Sequence, residues 1–232
     1  MIRAAALLLL AGVAAAAPAA PPPAKPAPTR VDWSKTVIAT PEGGFRMGSP
    51  GARVKLVEYG SLTCGHCANF AKSAMTPLIG NYIRSGKVSY EYRNFVLNGL
   101  DVAATLVARC GGAGRFFPVA DKLYATQGQW AARMSAMTEA ERAQVSALPE
   151  EQRLPRIAEL VGITQLAAQH GIAPAQSRRC LSDQAAFERL GKMTEAAQAL
   201  GVQGTPTFFL NGTNIGTHTW ATLEPLLREA GG

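Results

Sequence analysis

Cys64 and Cys67, with Gly65 and His66 between them, are the residues of this chain with the plainest chemistry. They follow the apolar run 54–59, at the junction of a strand and a helix, and in that position a Cys-x-x-Cys reads as a redox dithiol. A helix start carries unpaired N–H groups and the positive end of the helix dipole, so a thiolate placed there is stabilised. The thiol pKa then falls from about 8.5 into a range of roughly 3.5 to 7.5, and the sulfur becomes both reactive and a good leaving group. A protonated His66 adds a second positive charge within reach of Cys64. Alone, the pair is a moderate signal, because half of a zinc site looks the same.

Other residues bear on the pair. Glu58 lies in the apolar run before it, and its neighbours favour burial over a partly exposed strand acid. Near the C-terminus, 202–208 reads Val-Gln-Gly-Thr-Pro-Thr-Phe, with Thr205 and Pro206 leading into an extended segment. Cys110 and Cys180 complete an even set, which permits three pairings. A zinc site built from all the cysteines is disfavoured, since only one Cys-x-x-Cys pair exists. His170 and His218 stand alone in polar surroundings, which suits surface residues better than ligands.

The elements that must hold these residues follow from periodicity and breakers. Residues 42–48, bounded by glycines, suit a short edge strand, and Ser49-Pro50-Gly51 is a turn. The run 54–59 is short and β-branched, as in a buried strand. Thr63 is placed to cap the next helix, where Cys67, Phe70, Ala71 and Leu78 recur at helical spacing. That helix extends to about Ser85, with a kink or break at Pro77. Residues 88–95 form the next strand, and Arg93 on it is a candidate partner for Glu58. From 101 to about 200 the pattern is helical: Val102, Leu106 and Cys110 share a face, the glycines at 111–114 end that helix, and Thr138 with Glu141 is a capping box. Further helices cover 156–168, 174–181 and 184–200, with Phe116, Phe117, Tyr124 and Trp130 as core. Strands return at 205–210, Asn211-Gly212 signals a hairpin to 213–217, and 220–229 is a terminal helix. The class is α/β, in the order β-α-β, helical block, β-β-α.

With 232 residues, 47% of them hydrophobic, the chain can build one good-sized domain or a domain with a large insertion. The net charge of +7 comes from scattered Lys and Arg without an interleaved aromatic cluster. That pattern argues for a soluble basic surface and against a nucleic-acid partner. The first residues, with Arg3, precede an uncharged apolar run over 4–17 and small residues around 14–19, the form of a secretory signal peptide. The run is too short for a membrane span, and Pro18 ends it. Residues 18–28 are an Ala/Pro-rich extended spacer. Export to an oxidising compartment permits disulfides.

The dithiol after a buried strand, Glu58 in that strand, the helical insertion and Gly204-Thr205-Pro206-Thr207 together resemble the thioredoxin superfamily. Within it they resemble the exported DsbA-type thiol:disulfide oxidoreductases, over roughly 42–229. The resemblance implies a thioredoxin-like fold with a helical domain inserted between the β-α-β and β-β-α halves. The expected organisation is a signal peptide over 1–19, a linker over 20–40, a first half over 41–98, the insertion over 99–200 and a second half over 201–232. It implies that Pro206 is cis and faces the dithiol, and that Thr205 pairs by its backbone with a bound substrate peptide. Cys64 is then the nucleophile and Cys67 the buried resolving cysteine. His66 and the helix start stabilise the departing Cys64 thiolate, and Glu58 exchanges the proton of Cys67. Some relatives carry a second disulfide in the helical domain, and a structural Cys110–Cys180 bond is preferred here over two free buried thiols.

The function this implies is a periplasmic dithiol oxidase that introduces disulfides into unfolded or partly folded exported proteins. A membrane quinone-linked oxidase of the DsbB type would reoxidise it, and neither cofactor nor metal is called for. The Ala/Pro segment offers no amphipathic stalk for oligomerisation, which favours a monomer. The first alternative is an isomerase or reductase kept reduced by a membrane donor: Gly65-His66 is the pair of eukaryotic protein disulfide isomerases, and Thr205 is shared with bacterial ones. An alternative of another class is a thiolate metal carrier using the dithiol and His66.

Overall fold

Val54–Gly60 (β3) is the strand around which the sheet is built. The structure, a computed structural model, describes residues 31–232. The expected signal peptide and most of the expected linker therefore lie outside the described residues. Two short strands come first, Val37–Ala39 (β1) and Phe45–Met47 (β2), and Val88–Asn94 (β4), Thr207–Leu210 (β5) and Thr213–Gly216 (β6) complete a six-stranded sheet in the order β1-β2-β4-β3-β5-β6. Only β3 and β4 pair in parallel, so Gly65–Pro77 (α1) is the crossover between them.

Two expectations need correcting at this end of the chain. Ordered structure begins before residue 41, because β1 pairs with β2 in antiparallel register, Val37 opposite Met47. For the same reason β2 is not an edge strand; it lies between β1 and β4.

In α1, Cys67, Phe70 and Ala74 form the buried stripe, and the Phe70 ring packs 4.6 Å from that of Phe208 on β5. The α-helical geometry ends at Pro77, which has no N–H to donate to the preceding turn. The chain continues as a π-helix, Leu78–Ile83, in which Arg84 donates its N–H to the Ile79 carbonyl at 3.0 Å.

A helical block is inserted between β4 and β5. It comprises Gly99–Arg109 (α2), Ala113–Ala125 (α3), Gln127–Ser135 (α4), Glu139–Ala147 (α5), Glu150–Leu160 (α6), Ile163–Ala168 (α7), Pro174–Leu181 (α8) and Gln184–Ala199 (α9). The chain ends in Trp220–Glu229 (α10). Helix α2 runs through the centre of the block, with Ala103 to Ala108 all buried. The capping box of Thr138 and Glu141 is formed at the start of α5. The stretch expected as one helix over 156–168 is divided between α6 and α7 at Gly162, whose positive φ of 89° no helix can continue through. Phe116, Tyr124 and Trp130 are buried, whereas Phe117 is only half-buried.

The block is more than a lid on the edge of the sheet. Phe116 stacks on Phe45 of β2 at 4.4 Å and meets Tyr92 of β4 at 5.4 Å, so α3 shares one core with the sheet face that carries Leu56 and Glu58. The opposite face, with Tyr59 and Phe95, packs on Ala197 and Val202.

Cys110, at the C-terminal end of α2, and Cys180, in α8, are joined by a disulfide that closes a separation of 70 residues. The double variant Cys110→Ala/Cys180→Ala should lose about 4 kcal/mol of stability on the loop-entropy model. Urea unfolding should show it as a lower midpoint, with the reactivity of Cys64 retained.

Candidate active site

Gly60 ends β3 directly beneath the Tyr92 ring, where a Cβ would come within 2.6 Å of a ring carbon; only glycine lets the chain leave the sheet here. The loop that follows is held almost entirely by the helical block. Asp101 of α2, fully buried, accepts the Leu62 N–H at 2.9 Å with one oxygen and the Leu97 N–H at 3.0 Å with the other. Gln127 of α4 donates its amide to the carbonyls of Leu62 and Cys64, at 2.8 and 3.0 Å. The Tyr124 hydroxyl of α3 donates to the Ser61 carbonyl at 3.1 Å.

Thr63 is not the cap of α1. Its hydroxyl is taken up by Ser61 and by the Asn98 amide, and the N-cap position falls on Cys64 in extended conformation. Cys64 makes no capping hydrogen bond, so the first N–H groups of the helix remain unspent.

The two free thiols occupy opposite environments. Cys64 is 9% exposed and Cys67 fully buried. The Cys64 pKa is lowered to about 5, first by the hydrogen bond from the Cys67 thiol and then by Thr205 and the backbone N–H groups of Cys67 and His66, against the opposing effect of burial. Burial pushes the Cys67 thiol far up, and the neighbouring Cys64 and Glu58 push it the same way. Thr205 lies across from the dithiol, with its carbonyl oxygen 3.2 Å from the Cys64 sulfur, and the bond it forms with Pro206 is cis. Its buried hydroxyl has no hydrogen-bond partner within the described residues, which leaves it as a donor for the thiolate.

His66 does less with its ring than its place in the sequence implies. The imidazole is exposed; the N–H that favours the thiolate is His66's main-chain group. The ring instead lines a hollow of about 370 Å³ together with Phe70, Pro206, His218 and Thr222. His218, read from sequence as a lone surface residue, is tied there through the Ile215 carbonyl and the Thr222 hydroxyl, at 2.9 and 3.1 Å.

Glu58 is 2% exposed, and the Tyr90 hydroxyl donates to its carboxylate at 2.6 Å. Burial raises its pKa to about 8, although the Tyr90 hydrogen bond works the other way. Arg93 is not its partner. In the β3–β4 register Arg93 stands opposite Tyr59, so its side chain lies on the other face of the sheet. There it reaches Glu91 at 2.7 Å and the Tyr59 hydroxyl at 3.0 Å. A cleft of about 620 Å³, lined by Met75, Ile79, Phe117 and Tyr90 among others, has Glu58 at its floor.

A family model described as thioredoxin matches residues 40–229. The chain belongs to the thioredoxin family. With its paired free thiols it is a thiol-disulfide oxidoreductase. The solved structure of a protein-disulfide isomerase from Novosphingobium aromaticivorans aligns with a TM-score of 0.74 and 32% identity, over 82% of this chain and 98% of that one. Wolbachia pipientis alpha-DsbA1 shares the fold, with a TM-score of 0.62 and 20% identity over 83% of this chain and 92% of that one. Among curated proteins, a Rickettsia bellii protein described as a protein-disulfide oxidoreductase is 25% identical over 84% of this chain and 68% of its own length. A similar Rickettsia conorii protein is 25% identical over 84% of this chain and 63% of its own length. The chain thus spans about two thirds of the length of these relatives.

In this DsbA-like frame the residues missed from sequence are Tyr90, Asp101, Gln127 and His218. Tyr90 alone carried a signal, since in a parallel pairing of 54–59 with 88–95 it falls on the same face as Glu58. Asp101 and Gln127 reach the loop from the insertion, and no spacing rule reports such long-range contacts.

The raised pKa of Glu58 sets a pH dependence. The folded state holds this proton more tightly than the unfolded one, whose value is near 4.5, so the stabilisation is complete below about 4.5 and is lost as pH rises through about 8. The shift corresponds to roughly 5 kcal/mol. Glu58→Gln should therefore match the wild type at low pH, exceed it in stability at pH 8, and flatten the pH dependence of the denaturation midpoint between those limits. Thiolate absorbance of the reduced protein should rise with a midpoint of about 5, vanish as that step in Cys64→Ser, and move upward in Cys67→Ala.

Proposed function

We propose that this protein is an exported dithiol oxidase, in which Cys64 is the attacked sulfur, Cys67 the resolving cysteine and Glu58 the proton carrier. The observation that carries this reading is the separation of the two thiols: Cys64 brought down to about 5, Cys67 driven far up. A substrate thiolate attacks the Cys64 sulfur of the oxidised enzyme. The Cys64–Cys67 bond breaks, a mixed disulfide forms, and Cys67 leaves as a thiolate. That thiolate sits in a buried site that strongly favours the thiol, and the Glu58 carboxyl, protonated near neutrality, supplies the proton. A second substrate thiolate then attacks the substrate sulfur of the mixed disulfide and expels Cys64. Cys64 departs as a thiolate that the start of α1 stabilises, and this makes the enzyme's disulfide oxidising. Thr205 offers its backbone to the substrate chain beside the reacting sulfur.

The location this reading requires is extracytoplasmic, with the leader over 1–19 cleaved on export to the periplasm. The substrates are unfolded or partly folded exported proteins, and a membrane redox partner, a quinone-linked oxidase of the DsbB type, restores the disulfide to a monomeric enzyme.

One observation favours a second reading. The solved structure at 32% identity is of a protein-disulfide isomerase, and Thr205 with Gly65-His66 suits such a protein too. Equilibration with glutathione buffers separates the oxidase from a reductant, and the state of the dithiol in the producing cell separates it from an isomerase kept reduced. The oxidase should have a reduction potential less negative than about −200 mV, and a value near that of thioredoxin, about −270 mV, would overturn it. In the producing cell, Cys64 and Cys67 should be trapped largely as the disulfide.

A further inference from the structure

A third cavity, of about 510 Å³, is bounded by the 41–43 turn, the end of α2 and the face of α9 from Ala186 to Ala196. Arg109 projects into it from α2. The guanidinium lies 4.8 Å from the centre of the Phe45 ring, and one of its N–H groups donates to the Asn94 side chain at 3.0 Å. A guanidinium has five donors, so most of its capacity is unspent. Among the described residues no carboxylate comes within ion-pairing distance of it. The acids of the cavity are engaged with other groups than Arg109: Glu42 lies 3.7 Å from Arg93, while Asp183 caps α9 through the Ala186 N–H and lies 3.9 Å from Arg189 at the rim. Two further cations, Arg189 and Lys192, stand at the exposed rim. The remaining wall is apolar, from Leu106, Leu190 and Met193, and the Cys110–Cys180 disulfide forms one side.

We propose that this cavity binds an oxyanion, a carboxylate or phosphate group on a small and partly apolar molecule, with Arg109 as its anchor and Arg189 and Lys192 as its rim. A half-buried guanidinium without a counter-charge carries a desolvation cost and, here, repulsion from a neighbouring cation as well. Both act on Arg109, whose pKa is lowered to about 10 by burial first and by Arg189 second. An anion between the cations relieves both, and the planar fork suits two parallel hydrogen bonds to carboxylate or phosphate. The stacking on Phe45 fixes the plane of the fork, so little rotamer freedom remains to be lost on binding.

Inorganic phosphate and citrate, each titrated into the full-length protein against sodium chloride of equal ionic strength, test this by calorimetry and thermal unfolding. Saturable binding of at least one is expected, and the two arms distinguish phosphate from carboxylate recognition. Arg109→Gln should abolish it while leaving the midpoint of Cys64 thiolate formation unchanged. Should that variant fail to fold, the surface variant Arg189→Gln/Lys192→Gln should weaken binding roughly tenfold or more. No saturable binding of either anion by the wild type, or equal affinity in the variants, would overturn the assignment.

Discussion

The site depends on a helix that begins without a cap. A Ser, Thr, Asp or Asn side chain at the N-cap satisfies one of a helix's first N–H groups and stabilises the helix by about 1 kcal/mol. Helix α1 forgoes this: a cysteine occupies the N-cap position, and the neighbouring threonine turns its hydroxyl to Ser61 and Asn98. The unspent donors are then available to one group only, the sulfur of Cys64, and only when it is a thiolate. A capping hydroxyl would strengthen the helix and weaken the chemistry. The helix therefore needs other means of holding its first turn in place.

Those means come from the inserted block. Asp101, Gln127 and Tyr124 belong to three different helices, yet all converge on the backbone of 61–64. They bind main-chain groups and leave the sulfurs free, so they set the position of the loop without altering the charge beside Cys64. Asp101 is instructive. It is a fully buried acid whose pKa burial raises, yet the Leu62 and Leu97 N–H groups hold it from both sides. Truncating it would leave buried N–H donors unpaired, each costing about 1–3 kcal/mol. The insertion thus serves as the outer wall of the active-site loop, and the aromatic stack of Phe45, Phe116 and Tyr92 makes it continuous with the sheet.

What could be read in the residues beforehand was whatever is local or periodic. The order of strands and helices, the dithiol at a helix start, the break at Pro77 and the hairpin at Asn211-Gly212 all leave short-range marks. Parity along a strand was equally legible: once β3 and β4 are set in register, Arg93 must face away from Glu58, and Tyr90 must face it. The contacts that cross the chain were not legible. Nothing near Gln127 in sequence announces that its amide spans to the Cys64 carbonyl, and nothing near Thr63 shows that Asn98 will occupy the hydroxyl that would otherwise cap α1. Arg109 looks like an ordinary cation at a helix end; only the fold reveals that its acids are committed elsewhere.

The buried carboxylate raises a last physical question, that of how a proton reaches a group with 2% of its surface exposed. On the proposed mechanism a substrate chain along Thr205 would cover the sulfur side of the site and block that face at the step when the proton is needed. The cleft between α1, the π-helix and α3 opens elsewhere and has Glu58 at its floor. The wider turn that follows Pro77 contributes Ile79 and Gly80 to its wall, so the irregularity imposed by a proline also shapes the approach to the acid. In the same proposed mechanism, disulfide exchange and proton transfer would then use different faces of one sheet-and-helix junction. The disulfide would exchange at the start of α1, and Glu58 would reach solvent through the cleft beneath it.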